Sequence, residues 1–262
     1  MTILPFDCES FPNVGLAWGT WDQKIIKVLM RRMICSISWA WYPKAKVETM
    51  ALCDVPGYNP DRYWRGVLSG KPDYTDSKKL MRMFKNEVLK KTDIAIAHNL
   101  DEFDDKMVNT DLFLNKLGSA SPHRNIDTLK VLRSRMRLNS NRLDDVCQEL
   151  GIGKKLKHPG IEMWIGCMRG DRECWKMMRR YNAHDVNPLL VGLYEHIRPW
   201  MRQHPNIGVG EPYPSCPSCG HKALKPDGYR HTNSCSYRKM ICLKCRSWCK
   251  GMTVKGKLIY RP

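Results

Sequence analysis

Acidic residues are the scarce class in this chain: 26 Asp and Glu stand against 44 Lys and Arg, a formal charge of +18 with a pI near 9.5. That imbalance favours a polyanionic partner. Long apolar runs are missing as well. A membrane-spanning helix needs about 20 consecutive apolar residues, and neither such a run nor a lipidation motif or amphipathic anchor is present. The excess charge is therefore expected to serve nucleic acid, with no membrane partner. No signal peptide precedes Asp7, and no internal repeat or low-complexity segment interrupts the chain. Disulfide-like spacing is absent from the first 200 residues, where six of the 12 cysteines (Cys8, Cys35, Cys53, Cys147, Cys167, Cys174) are scattered. The other six crowd between Cys216 and Cys249. Scattered thiols plus one cluster fit a reducing, cytoplasmic setting with a metal site, not a disulfide scaffold.

What is there suffices for one domain with a real core and a small appendage: 262 residues, 42% of them hydrophobic. Leu4 to Ser10 reads as an apolar strand central enough to organise a sheet. Residues 33–41 read as a second strand, with 46–52 as its hairpin partner. Residues 57–74, rich in Pro, Gly and Tyr, read as an irregular loop. Asp76-Ser77 is expected to cap a helix through Leu89. Residues 93–98 form a short buried strand, and Phe103 to Leu117 a helix. Ile126-Asp127-Thr128 opens another helix with Asp127 as its cap. Asn141 to Leu150 is a further helix closed by Gly151, and a long helix, or two in series, follows Gly170-Asp171 to Ile197. The order strand, hairpin, helix, strand, helices predicts an α/β domain with a mixed sheet. Four prolines between 199 and 214 put the boundary there: a domain at 1–203, a linker at 204–214 and a small unit at 215–262.

Three acidic settings carry chemistry. Asp7 and Glu9 are two apart on a strand and share a face, which crowds two anions unless a cation joins them. Asp104 opens a helix just after the strand that ends at Asn99, and ligands of α/β sheets bind at the carboxyl ends of strands. Tyr181 and Asp185 are four apart and share a helical face. Singly, each has an ordinary reading: exposed acids near a terminus, a helix-start acid on the helix dipole, a core aromatic.

In order and spacing, D-x-E, N-x-x-x-F-D and Y-x-x-x-D over residues 3 to 200 resemble the DEDD exonucleases of the ribonuclease H-like fold. The resemblance is to the Tyr subgroup, which includes proofreading domains. The segments Ile126-Asp127-Thr128-Leu129 and Leu143 to Gly151 look like that family's stretch between its second and third motifs. The closest likeness is to stand-alone phage-type exonucleases with a C-terminal zinc ribbon, which implies a host cytoplasm for a phage-encoded chain. The resemblance implies 3′→5′ hydrolysis of nucleic acid, DNA before RNA, with two Mg²⁺ or Mn²⁺ ions roughly 4 Å apart. It implies that Asp7 bridges the ions, Glu9 and Asp185 complete the site of the attacking water, Asp104 holds the second ion, and Tyr181 orients the water. Arg180 stands where the sister subgroup has its histidine; His184 reads as structural. Asn99 and Phe103 are implied substrate contacts, and Leu100 departs from the small residue many relatives have. Trp164 and Trp175 read as core residues, and Asp101, Glu102 and Asp105 as a solvated helix start. A structure-selective endonuclease on the same fold and an inactive nucleic-acid-binding accessory protein are the alternatives.

Basic residues cluster between the second and third motifs. Lys154, Lys155 and Lys157 follow the loop after Gly151, preceded by Arg133, Arg135 and Arg137, and are candidate phosphate contacts. At the other end, Cys216-x2-Cys219 and Cys242-x2-Cys245 have the spacing of a four-thiolate Zn²⁺ site. A unit under 50 residues has little core, so the metal would stabilise its fold directly, as in a zinc ribbon. Strands are expected at 237–241 and 253–260. Cys235, Cys249, His221 and His231 are spare ligands. Residues 204–262 carry 11 Lys and Arg against two acids, so this unit is expected to grip nucleic acid, with protein docking as the competing reading.

Overall fold

The strand that carries Asp7 and Glu9 lies in the middle of a five-stranded sheet in a computed structural model. The structure describes residues 1–19, 21, 24–44, 46–201, 204–205, 207, 215–231, 236–254 and 257–261. β1 (Ile3–Phe11) leads into a small hairpin, β2 (Val14–Leu16) and β3 (Lys27–Met30), then β4 (Met33–Ala40) and β5 (Val47–Ala51). Helices α1 (Asp61–Ser69) and α2 (Thr75–Glu87) precede β6 (Ile94–Ala97), α3 (Asp104–Leu114) and β7 (Arg124–Asp127). The chain continues through α4 (Thr128–Arg135), α5 (Leu143–Glu149), α6 (Ile161–Met168), α7 (Arg172–His184) and α8 (Val191–Ile197). The sheet order is β5-β4-β1-β6-β7. β1 runs antiparallel to β4, with Asp7 opposite Ser38 and Glu9 opposite Ser36, and parallel to β6. This is the mixed sheet expected from the sequence.

Alternation along β1 decides where the acids go. Leu4, Phe6 and Cys8 enter the main core, with Phe84 from α2 and Trp175 from α7. Ile3 faces the opposite way and packs with Ile94, Ile96, Ile126, Leu190 and Tyr194. Asp7 and Glu9 share Ile3's parity, so the face that begins apolar ends anionic. The strand's apolar residues hold it between two layers of helices, and that burial carries the carboxylates inward.

Four local expectations are corrected. Residues 57–74 are not an irregular loop, because α1 occupies 61–69. Pro60 suits a helix start, where its missing N–H costs nothing, Tyr63 and Val67 bury one face, and Gly70 closes the helix at φ 69°. Gly66 is there for close approach: a Cβ at that position would lie 2.7 Å from Pro72 Cα. Asp76 does not cap α2. It is fully buried and takes a 2.7 Å bond from Arg62, tying α1 to α2, while Asp73 accepts from the Thr75 N–H at 2.8 Å. Residues 124–127 form an edge strand before the helix that Asp127 caps as expected. The expected strand at 253–260 is split between antiparallel β10 (Trp248–Val254) and β11 (Lys257–Arg261), which extend a sheet begun by β8 (Leu224–His231) and β9 (Ser236–Cys242). The β2–β3 hairpin and α6 were not legible in the sequence. Most of the 204–214 linker lies outside the described residues. No described helix is long and apolar enough to cross a membrane.

Candidate active site

Asp7, Glu9 and Asp185 each offer a carboxylate oxygen within 4.8 Å of the others. β1 delivers the first two, and the C-terminal end of α7 delivers Asp185. The helix breaks two residues later at Asn187 (φ −140°, ψ 120°), because Pro188 disfavours helical geometry in the residue before it. Tyr181, one turn before Asp185, is buried on the same helical face. Asp104 is buried at the start of α3, and its Oδ1 accepts from the Cys8 N–H at 3.1 Å. It thereby holds on to the strand between Asp7 and Glu9, although it is not one of the three clustered acids.

Anions this crowded resist ionisation. Burial, then the neighbouring Asp185, pushes Asp7 up to about 6. Burial and Asp7 push Glu9 up to about 8. Burial, then Asp7, raises Asp104 well above the usual carboxylate range, and burial raises Asp185 despite Lys155. Burial and Asp185 hold the Tyr181 phenol up at about 12, so its hydroxyl stays protonated near neutral pH.

Two polar side chains organise the cluster. Lys155 Nζ lies 2.5 Å from Asp185 Oδ2 and 3.1 Å from the Tyr181 hydroxyl. The Lys155 backbone N–H donates to Asp144 Oδ1 at 2.6 Å, which fixes the segment after α5 over the site. Burial works against its charge, but Asp185 outweighs that and keeps the ammonium protonated. Asn182, fully buried, donates to Asp7 Oδ2 at 2.6 Å and accepts from Ser36 at 3.1 Å. Sequence reasoning missed Asn182; its signal was a buried-side amide within a motif singled out for Tyr181 and Asp185.

The remaining expected residues divide. Asn99 adopts the left-handed region (φ 71°), with its N–H bonded to Asp127 at 3.1 Å. With Lys155, Arg133, Arg142 and Asp144 it lines an open cavity of ≈ 710 Å³ beside the carboxylates. Phe103 is half-buried against the main core. Lys154 and Lys157 are exposed, and their ammoniums form no ion pair among the described residues. His184 is structural: its Nε2 bonds the Lys154 carbonyl at 2.9 Å. Asp101 pairs with Lys130 and Glu102 with Lys106, and Trp175 is buried as expected.

Compared with known families, residues 43–198 match the RNase H superfamily. The chain belongs to the RNase H superfamily. No curated protein matches it. Membership supports nuclease activity, hydrolysis of nucleic acid, as the general function. The matched stretch contains Asp104, Tyr181 and Asp185; Asp7 and Glu9 precede it.

The acidic set of this RNase H-like domain suits hard divalent cations. Its donors are carboxylate oxygens, their charges are mutually unfavourable without a cation, and Asp185 Oδ1 is buried with no hydrogen-bond partner among the described residues.

A second donor set lies at the other end of the chain. The sulfurs of Cys216, Cys219, Cys242 and Cys245 lie within 4.8 Å of one another. Cys216 and Cys245 are 3.6 Å apart, as are Cys219 and Cys242; tetrahedral Zn²⁺ with bonds of about 2.3 Å sets its sulfurs roughly 3.8 Å apart. Each CxxC turn is closed the same way. The fourth residue after its first cysteine, Gly220 or Arg246, takes the left-handed region (φ 71° and 60°) and returns its N–H to that cysteine's carbonyl. The cluster is compatible with a zinc ribbon. Cys249 is buried outside the four, and burial pushes its thiol up to about 11. His221 and His231 are exposed, and Cys235 lies outside the described residues.

Proposed function

We propose that this chain is a metal-dependent 3′→5′ exonuclease of the DEDD type, Tyr subgroup, acting on single-stranded DNA in preference to RNA. Residues 1–203 carry the reaction, 204–214 link, and 215–262 form a basic zinc ribbon that grips the substrate. The observation that carries this reading is the meeting of Asp7, Glu9 and Asp185 with a protonated Tyr181 hydroxyl. The inactive-adaptor reading requires a broken acidic set, and all four acids, Asp7, Glu9, Asp104 and Asp185, are present in the sequence.

Asp7, Glu9, Asp185 and Asp104 would hold two Mg²⁺ or Mn²⁺ ions. When bound, the ions supply the Lewis acidity that activates water and stabilises the departing 3′-oxygen. Tyr181 keeps its proton, so it orients water through its hydroxyl and does not act as a base. Asn182 fixes Asp7 in one rotamer through a bond that also favours its carboxylate as the anion. Lys155 offers an ammonium to phosphate oxygens that enter beside Tyr181. Asn99 and the basic wall of Arg133 and Arg142 would hold the terminal nucleotide in the adjoining cavity.

Linear and circular single-stranded DNA, each with Mn²⁺ and with EDTA, test the reading. The linear strand should shorten only with Mn²⁺ while the circle survives. Nicking of the circle would support the endonuclease reading instead.

A further inference from the structure

The β2–β3 hairpin belongs to neither the sheet nor the acidic site. It interrupts the chain between β1 and β4, five residues after Glu9, and its two ends differ sharply. The root is anchored. Met30 is fully buried, Val14 packs against the main core, and Asn13 accepts the Arg32 N–H at 2.7 Å. Arg31 bonds Asp111 at 2.5 Å and covers the Tyr74 ring at 4.4 Å. Arg32 lies 5.9 Å over the Phe103 ring, next to Asp104. The far end is bare: Trp18 is 89% exposed and Trp21 87%, with Leu16, Ile25, Ile26 and Val28 each about half exposed. Ile26 still donates to the Leu16 carbonyl at 2.8 Å, and Gly15 lets Ile25 pack against the facing strand. Among the described residues, the hairpin turns its apolar surface to water.

Apolar surface of this kind marks an interaction site. The charge around it selects the partner. With Arg31 neutralised by Asp111, Lys24, Lys27 and Arg32 stand against Asp22 in residues 14–32, a net +2 that complements phosphate. Flat, exposed indoles beside cations are the elements of a single-strand platform: bases stack on the rings and the backbone runs along the charges. We propose that the hairpin binds single-stranded nucleic acid, with Trp18 and Trp21 stacking on unpaired bases and Lys24 and Lys27 following the phosphates. The root beside Phe103 and Asp104 would lead that strand toward the acidic site. The inference rests on the nucleic-acid substrate class of the proposed function, but not on catalysis.

Binding of fluorescent dT20, and of a 20-base-pair duplex, to full-length Asp185→Asn protein tests this without cleavage. Trp18→Ala/Trp21→Ala should weaken dT20 binding by roughly thirtyfold or more, since each of the two lost stacks is worth about 1–3 kcal/mol. Trp18→Phe/Trp21→Phe should retain most of the affinity. Duplex binding should change far less, because paired bases offer no free faces. Melting temperature should be unchanged, because both indoles are exposed. Unchanged dT20 affinity, or equal losses on both substrates, would overturn the inference. So would loss only of self-association or of binding to anionic phosphatidylserine vesicles, which would assign the tip to protein or lipid. A wild-type protein that fails to cleave but binds dT20 through these tryptophans defeats the proposed function and leaves this inference standing.

Discussion

The Lys155 ammonium sits 2.5 Å from Asp185 Oδ2, inside a cluster of carboxylates and on the one of them that ends α7. Lys155 thus balances the acidic set, and it competes with any cation for Asp185. Lys155→Met should tighten Mn²⁺ binding by roughly tenfold while lowering turnover by about 10²-fold, because charge stabilisation at phosphate is lost. Calorimetric Mn²⁺ titration and steady-state kinetics check the split. Parallel loss of metal binding and turnover would make Lys155 merely structural.

Protonation of Glu9 couples stability to pH. Its folded pKa, about 8, lies above its ordinary value of 4.5. The folded chain therefore keeps a proton that the unfolded chain releases, and stability falls as pH rises between those values. His98 and His204, held neutral by burial, act oppositely but only below about pH 6.5. Metal-free protein should lose at least roughly 1–2 kcal/mol between pH 6.5 and 8, Glu9→Gln should lose less, with Asp7 and Asp104 still acting in that direction, and Mn²⁺ should restore stability most at pH 8. Denaturant melts at the two pH values measure it.

Asn182 tests whether the site is preorganised. Asn182→Ala removes the 2.6 Å bond to Asp7 and leaves Ser36 without its acceptor. Stability should drop by about 1–3 kcal/mol and activity by roughly 10–100-fold. Asn182→Asp should be worse for metal-free stability and should recover with Mn²⁺, since it adds a charge to an anionic cluster.

Much of this was legible in the sequence because burial and strand parity act locally. The apolar positions of Leu4 to Ser10 mark a central strand, and parity alone puts Asp7 and Glu9 together. Tyr181 and Asp185 follow from helical spacing, and the cysteine pairs from theirs. What stayed hidden depends on residues distant in sequence. Asn182 matters because Asp7 and Ser36, far back in the chain, happen to face it. Lys155 looked like its neighbours Lys154 and Lys157 until Asp144 fixed the loop that aims it. Residues 57–74 read as a loop because they are rich in Pro, Gly and Tyr, whereas one of those glycines, Gly66, makes room for Pro72 beside a helix.

The ribbon is tested by its metal. Cys216→Ser/Cys242→Ser should reduce bound zinc from one ion to none. For every phosphate that the zinc-free ribbon no longer neutralises, the log–log salt dependence of single-strand binding should become shallower by about 0.7. An unchanged slope in zinc-free protein would favour protein docking.

The most direct test follows 5′-labelled single-stranded DNA and RNA with Mg²⁺ or Mn²⁺, using wild-type, Asp104→Ala and Asp185→Asn proteins. A two-metal exonuclease should give a ladder of products shortening from the 3′ end, faster on DNA, absent with EDTA and absent in both variants. Binding without cleavage by the wild-type protein, or a ladder that survives in Asp185→Asn, would contradict it.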